Sequence, residues 1–564
     1  MTPDQKPFYA ATYIPKHANY GIPGLVDILT EVYNQWVSNR EDMVRTGNQV
    51  AEIIKNSYNK NYEGAVTKDI LSLAVTQFTQ RFDHDYGGFG NEPKFPTPHN
   101  LMFLLNYAYH NNDEKTLYMV ETTLEHMYRG GIYDHIGYGF SRYSTDARWL
   151  VPHFEKMLYD NALLSMVYLE TYQYTKKPFY RIIAEQILHY INRDMTNPEG
   201  GFYSSQDADI EGVEGKYYLF KPDEITKLLK NDDAGFFNNY FDITWEGNFE
   251  GSSIPNRIKA TELHPENERV TKLCERVYSY RSNRNKLFTD DKILTSWNSL
   301  MITAYATAAK ILNKQEYLDA ATKAVEFINR NLTDEYGRLY IRYRDEDAAH
   351  QGLIDDYAFF TMALLAVYEA SFDIDYLKQA VSMTDKMIEL FWDKNNGGFY
   401  LYAEDAEQLI HRPKEVYDGA IPSGNSVAGY VLCKIAHITG KPIYQEYADK
   451  QLKFIAGQAI EYPSIHSFTL LAMSQALYPP KEIVCVAKDK EDIEDLKYYL
   501  TNHYEPNTIA LVKTEENADE LQYIAEYTKD YHMINDKTTY YVCQNYSCAA
   551  PCNKLADVKM ATIL

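Results

Sequence analysis

Between residues 68 and 478 the sequence alternates two kinds of helical pattern, and that alternation constrains the fold more than any other feature. One kind is charged and amphipathic, at 68–80, 114–129, 178–194, 315–331, 375–392 and 442–458. Apolar residues recur there on one face, as in a helix with one wet side. The other kind is apolar nearly all round, at 100–109, 155–172, 296–312, 356–371, 424–438 and 464–477. Such a helix must be enclosed by protein. Six of one kind alternating with six of the other predict a mainly α protein, an (α/α)6 barrel in which the apolar helices form the inner ring.

The connections support the same ring. Each link from an outer to an inner helix is rich in turns, often Gly-Gly before an aromatic, as in Asp85-Tyr-Gly-Gly-Phe89, Gly200-Gly-Phe-Tyr203 and Asn396-Gly-Gly-Phe-Tyr400. Glycine supplies the positive φ of a tight turn, and the aromatics start a hairpin arm. Links from inner to outer helices are short, such as Thr439-Gly-Lys-Pro442. The spacing breaks once, for an insertion at about 196–290 with a strand-like 215–220 and helices near 222–230 and 266–281. Residues 1–60 begin with a strand-like 6–13 and a long helix starting near Gly24. Residues 480–564 alternate strand and helix as a small α/β module, leaving 61–479 to the barrel.

Composition narrows the function classes. Of 564 residues, 45% are hydrophobic and 24% charged, enough for a large core. A net charge of −23 argues against nucleic acid and anionic membranes as partners. No apolar run reaches the ~20 residues of a membrane helix, and Met1-Thr-Pro-Asp-Gln-Lys-Pro7 carries no apolar signal region. A cytoplasmic location is expected. Cys543, Cys548 and Cys552 lack a Cys-x-x-Cys spacing and a second ligand pair, so neither zinc nor any other metal or cofactor is expected. The 51 tyrosines mostly fill helix contacts, with some left to stack on a polyhydroxylated ligand.

The polar motifs sit at the starts of the inner helices, whose N-termini converge on one barrel end. The densest is 139–161, with Arg142, Tyr143, Trp149, His153, Glu155, Lys156 and Asp160. Lys94, Trp297, Asn298, Asp355, Asp356, Tyr357, Asp418 and Asn425 begin other inner helices. Capping explains residues such as Ser296, Asp355 and Ser423, but not Lys94, His153, Lys156, Trp297 or Asn425. In a first helical turn the macrodipole favours a neutral His153, able to act as a base. His153, Lys156 and Asp160 would share one helix face; a structural Lys156–Asp160 pair beside a satisfied His153 is the competing reading. His153, Glu155, Asp355 and Asp356 are the catalytic candidates. In the Asp355-Asp356 pair, one residue could cap while the other faces the mouth. Asp207 and Asp209, on one side of an extended loop, could bind hydroxyls, and the remaining residues named here would line the pocket.

Several stretches together resemble the spermatogenesis-associated protein 20 family: Gly87-Gly-Phe-Gly-Asn-Glu-Pro-Lys-Phe-Pro96, Arg148-Trp-Leu-Val-Pro-His-Phe-Glu-Lys156, Asp291-Lys-Ile-Leu-Thr-Ser-Trp-Asn298 and Asp418-Gly-Ala-Ile-Pro-Ser-Gly-Asn425. The resemblance implies a thioredoxin-like domain fused to an (α/α)6 barrel of the N-acylglucosamine 2-epimerase and six-hairpin glycosidase type. It implies that residues 1–60 are the last hairpin and helix of the thioredoxin-like domain, without the segment bearing its cysteine motif. Thiol–disulfide activity is therefore not expected of this chain, and a thioredoxin-like domain in a longer form is an expected partner. The barrel type implies a sugar ligand, bound or modified by epimerase or isomerase chemistry. The alternatives are glycoside hydrolysis and a non-catalytic ligand-binding or scaffold barrel serving a thioredoxin-linked redox protein.

Overall fold

The computed structural model describes residues 1–557 apart from 20, 59–62, 408 and 545–546. The expected boundary between residues 60 and 61 lies outside the described residues. Two helices open the chain, α1 (Leu25–Ser38) and α2 (Arg40–Tyr58). The barrel begins with outer helix α3 (Lys68–Arg81), inner α4 (Pro98–Asn111), outer α5 (Glu114–Arg129), inner α6 (Leu158–Thr175) and outer α7 (Pro178–Asp194). An insertion follows, with α8 (Pro222–Leu229), α9 (Asn231–Tyr240) and α10 (Glu268–Arg284). Inner α11 (Thr295–Leu312), α13 (Ile354–Ser371), α15 (Gly424–Thr439) and α17 (Ser467–Leu477) then alternate with outer α12 (Gln315–Asn331), α14 (Ile374–Phe391) and α16 (Pro442–Ala459).

Helix contacts close the ring. Going round it, α4 packs on α6, α6 on α11, α11 on α13, α13 on α15, α15 on α17, and α17 back on α4. Each of α5, α7, α12, α14 and α16 lies against the inner helix before it, and α3 lies against the 3-10 turn Pro463–Ile465 ahead of α17. The molecule is an (α/α)6 barrel. Local chemistry fixes the hairpins: Asp113 and Asp373 cap α5 and α14 through their side chains, Pro178 and Pro442 open α7 and α16, and Gly440 ends α15 in the left-handed conformation. The inner helices are buried over most of their surface and join one continuous core.

The glycine-aromatic links each close on a backbone bridge: Phe82 with Phe89, Tyr133 with Phe140, Thr196 with Phe202, Thr333 with Leu339, and Trp392 with Phe399. The C-terminal module, with α18 (Glu494–Asn502) and α19 (Ala518–Ile524), carries a four-stranded sheet. Its order is Thr508–Lys513, Lys481–Val486, Thr539–Gln544, Ser547–Cys548; the first pair is parallel and the others antiparallel. Cys543 and Cys548 face each other in that sheet and form a disulfide.

Three expectations are corrected. The second inner-helix pattern, read from residue 155, starts at Leu158, because Pro152–His153 pairs with Tyr143–Ser144 and Lys156–Met157 pairs with Ser205–Gln206. Residues 6–13 form no strand, since no neighbouring strand offers them a ladder. Residues 215–220 turn instead of extending, burying Tyr217 and Tyr218.

Candidate active site

The loops at the N-terminal ends of the inner helices are held by two repeated devices. In the first, an aspartate starts a hairpin and accepts backbone N–H groups two and three residues on, and a lysine ties it to the carbonyl four residues on. Lys94 donates to Asp83 (2.5 Å) and Gly87 O (2.8 Å). Lys156 donates to Asp134 (2.8 Å) and Tyr138 O (2.7 Å), and Lys414 to Asp393 (2.5 Å) and Gly397 O (2.7 Å). Arg281 of the insertion adds a bidentate pair to Asp134, at 2.9 and 2.7 Å. Burial works against the Asp134 charge, but Arg281 and Lys156 overcome it and hold the carboxyl far below its usual range.

In the second device an asparagine clamps the aromatic of the hairpin arm by both backbone groups. Asn161 accepts from Phe140 N–H (2.8 Å) and donates to its carbonyl (3.0 Å). Asn298 does the same to Phe202 (2.7 and 2.9 Å), and Asn425 to Phe399 (2.8 and 2.9 Å). Tyr357 holds the Thr333–Leu339 arm through its hydroxyl, which accepts from Leu339 N–H at 3.0 Å. Buried backbone groups need such partners.

These devices relocate several residues expected to line the mouth. Lys94 and Lys156 are buried loop locks, and the Lys156–Asp160 pair does not form. Asn298, Asn425 and Tyr357 spend their polar atoms on the arms. Asp418 accepts from Ser423, Phe468 and Thr469 N–H, joining α15 to α17. Trp149 is fully buried beneath the first hairpin: its Nε1 donates to Tyr86 O at 2.9 Å, and a Cβ on Gly88 (φ +79°) would lie 2.6 Å from its ring. Asp207 and Asp209 are exposed on the insertion, Asp209 in a two-stranded turn with Glu214.

The remaining residues form the mouth. Phe95 lies 4.8 Å from Tyr143 by ring centroids, and Tyr143 stacks on His153 at 5.2 Å. His153 Nδ1 lies 2.6 Å from Glu214, and Nε2 lies 3.6 Å from Glu155, which also takes Arg142 at 3.2 Å. Glu155, then Glu214, raises the imidazole above its usual range; His153 in turn holds Glu155 below its own. His153 sits in a short strand instead of a helix turn, so the helix-dipole argument for a neutral ring does not apply. Arg142 also reaches the Tyr159 hydroxyl, and Tyr159 meets the edge of Trp297 at 4.8 Å. Asp160, behind Tyr159, is buried with Oδ2 unpartnered among the described residues, and burial drives its carboxyl far up toward the neutral acid.

The two adjacent aspartates diverge. Asp356 is buried and accepts from Ser296 N–H (3.0 Å) and Leu353 N–H (2.8 Å), joining the starts of α11 and α13; burial pushes its carboxyl up to about 7. Asp355 is partly exposed, against Gly424, where any Cβ would lie 2.3 Å from its Oδ1. Burial and the nearby Glu415 push Asp355 up to about 6. Stepping by three and four along α13 from Asp355 leads through Phe359 and Met362 to Ala366 and Glu369, and the last three line a cavity on the barrel axis. The same steps take α6 from Tyr159 to Met166 and α11 from Ser296 to Thr303. Asp355, Tyr159 and Ser296 therefore head the axial stripes.

Tyr159, Phe95 and Glu214 were missing from the sequence-derived set. Tyr159 could have been found as the axial residue of its helix. Glu214 has no local signal, since it reaches His153 across 61 residues of chain. Among the described residues no cluster of His, Cys, Asp and Glu could hold a metal ion, and no helix is long and apolar enough to cross a membrane.

A family model described as Thioredox_DsbH, protein of unknown function, DUF255, matches residues 1–55. Spermatogenesis-associated protein 20 of Mus musculus is 29% identical, over 98% of this chain and 76% of its own. The Homo sapiens protein of that name is 28% identical, over 98% and 77%. Among solved structures, a D-mannose isomerase covers 74% of this chain and 99% of its own at 10% identity and a TM-score of 0.49. The cellobiose 2-epimerase of Spirochaeta thermophila covers 73% and 98% at 11% identity and a TM-score of 0.45. Over 98% of its length this chain is similar to spermatogenesis-associated protein 20 of mouse and human.

Proposed function

We propose that the mouth binds a sugar and changes it by proton transfer at Asp355, as an epimerase or isomerase would. The carrying observation is Asp355 itself: partly exposed, at the head of an axial stripe, and pushed up to about 6. Such a carboxyl is divided between acid and base near neutral pH, and proton transfer at one site contributes roughly 10²–10⁴-fold. The partly exposed rings of Tyr143 and Trp297 offer faces for a sugar ring. The charged trio of Arg142, Glu155 and His153 offers directed donors and acceptors for hydroxyls. Glu155 and His153 are ion-paired and so serve to orient the substrate.

The test is NMR in heavy water on a panel of mannose, glucose, N-acetylglucosamine and cellobiose. Solvent deuterium should enter a sugar carbon with the wild type and fall by at least about a hundredfold with Asp355→Asn. Release of a new reducing end without deuterium would point to hydrolysis. Neither outcome, together with no ligand-induced melting shift, would discard the sugar reading.

A further inference from the structure

Below the mouth, the same axial stripes line a chamber. Its volume is about 160 Å³. The C-terminal module closes its far end with Leu500 and Tyr504, tied to the barrel by Gln173 donating to Leu500 O (2.6 Å) and by Asn507 bonding Gln475 (3.0 Å). Its walls have opposite chemistry. On α11, α13 and α15, Glu369 is shared between Lys310 (2.8 Å) and Lys434 (2.5 Å). Burial opposes the Glu369 charge, but the two ammonium groups outweigh it and hold the carboxyl down at about 2. Two cations thus share one firmly ionised carboxylate, and each ammonium has three donors to place.

Across the axis, on α4 and α6, stand two acceptors. Asn106 is buried with Oδ1 unpartnered among the described residues. Glu170 faces the chamber with no hydrogen bond to another described residue, and burial pushes it up to about 7. Met102, Met166 and Met362 form the apolar sides between the two walls. Each ammonium keeps a donor that Glu369 does not take, and a buried acceptor without a donor carries a cost that a bound donor removes.

We propose that this chamber binds a compact amphipathic carboxylate: the carboxylate at Lys310 and Lys434, an apolar middle between the methionines, and a hydroxyl donating to Asn106. The size agrees, since an apolar protein cavity of about 150 Å³ takes up benzene, and methionine sulfur is a favourable neighbour for a ring. Nothing in this site depends on the sugar reading of the mouth.

The probe is 4-hydroxybenzoate, with benzoate and 4-hydroxybenzamide as controls, titrated into the whole protein by calorimetry and saturation-transfer NMR. 4-Hydroxybenzoate should bind saturably, and the amide, which lacks the charge, at least about tenfold more weakly. Lys434→Met leaves Glu369 paired with Lys310 and should weaken the acid by a similar factor. Asn106→Leu should weaken 4-hydroxybenzoate but leave benzoate unchanged. Tyr143→Ala, at the mouth, should change neither. Equal affinity for acid and amide, no saturable binding at millimolar probe, or a folded Lys434→Met with wild-type affinity would each overturn the proposal. Should Lys434→Met fail to fold, the acid–amide comparison and Asn106→Leu decide it.

Discussion

The mouth and the chamber share the axial stripes of α6, α11 and α13, yet they treat charge in opposite ways. At the mouth, charges are half-exposed and paired in a chain, Arg142–Glu155–His153–Glu214, and the one carboxyl heading an axial stripe, Asp355, is only partly ionised near neutral pH. In the chamber, Lys434 and Glu369 are the more deeply buried pair, and two lysines force the one carboxylate to stay ionised. Water access explains the difference. A half-exposed pair loses little when broken, whereas an enclosed charge without a partner is costly. The mouth is suited to moving protons, and the chamber to holding a charge still.

The largest expected effect breaks the chamber side. Glu369→Gln removes the shared carboxylate and leaves Lys310 and Lys434 enclosed without it. A loss of about 3–5 kcal/mol is expected in urea unfolding. The same variant should gain affinity for 4-hydroxybenzoate, which then supplies the missing anion. A stability change below ~1 kcal/mol would mean the two regions do not differ in this respect.

The alternation of wet and apolar helices made the ring legible, because twelve elements of matching period admit few other arrangements. The hairpin arms were legible from their glycines. The roles of Lys94 and Lys156 were not, because each meets its aspartate only through the folded loop; the parallel trio of Lys94, Lys156 and Lys414, each with an aspartate upstream, was the overlooked sign of architecture. The start of α6 was misplaced because pairing with Ser205–Gln206, far along the chain, outweighs local helical period. The chamber was missed for a simpler reason: Glu170, Lys310, Glu369 and Lys434 are lone charges on helices whose average is apolar, and a lone charge on an enclosed helix needs a partner.

The next effect separates neighbours at the mouth. Asn298→Ala removes the clamp on Phe202 N–H and C=O. Leaving two buried backbone groups unpaired should cost about 2–4 kcal/mol, read as a fall in melting temperature. Trp297→Ala, one residue away and partly exposed, should cost less stability and instead weaken sugar binding about tenfold by calorimetry. Reversal of the two outcomes would move the functional surface from Trp297 to the clamp.

Asp355 gives an effect of opposite sign. Its carboxyl is raised from 3.8 to about 6, so between those values the native protein holds more protons than the unfolded chain. Stability therefore falls as pH rises through that window. Asp355→Asn should be more stable than wild type by about 2 kcal/mol at neutral pH and equal to it near pH 4. A destabilised variant at neutral pH would show that Asp355 is a structural cap like Asp356.

The smallest effect tests the other half of the contrast. His153 is raised above 6.5 and Glu155 lowered below 4.5, so their pairing contributes fully between those two values. The histidine part is lost as pH rises through its folded value, and the glutamate part as pH falls through its own. Because the groups are half-exposed, His153→Gln should cost under ~1 kcal/mol, more at pH 5.5 than at pH 8.5, and added salt should shrink the difference. Urea titrations at the two pH values check it. A cost of several kcal/mol, insensitive to salt, would mean that the mouth encloses its charges as the chamber does, and Asp355 would then lose the solvent contact that its proton-transfer role requires.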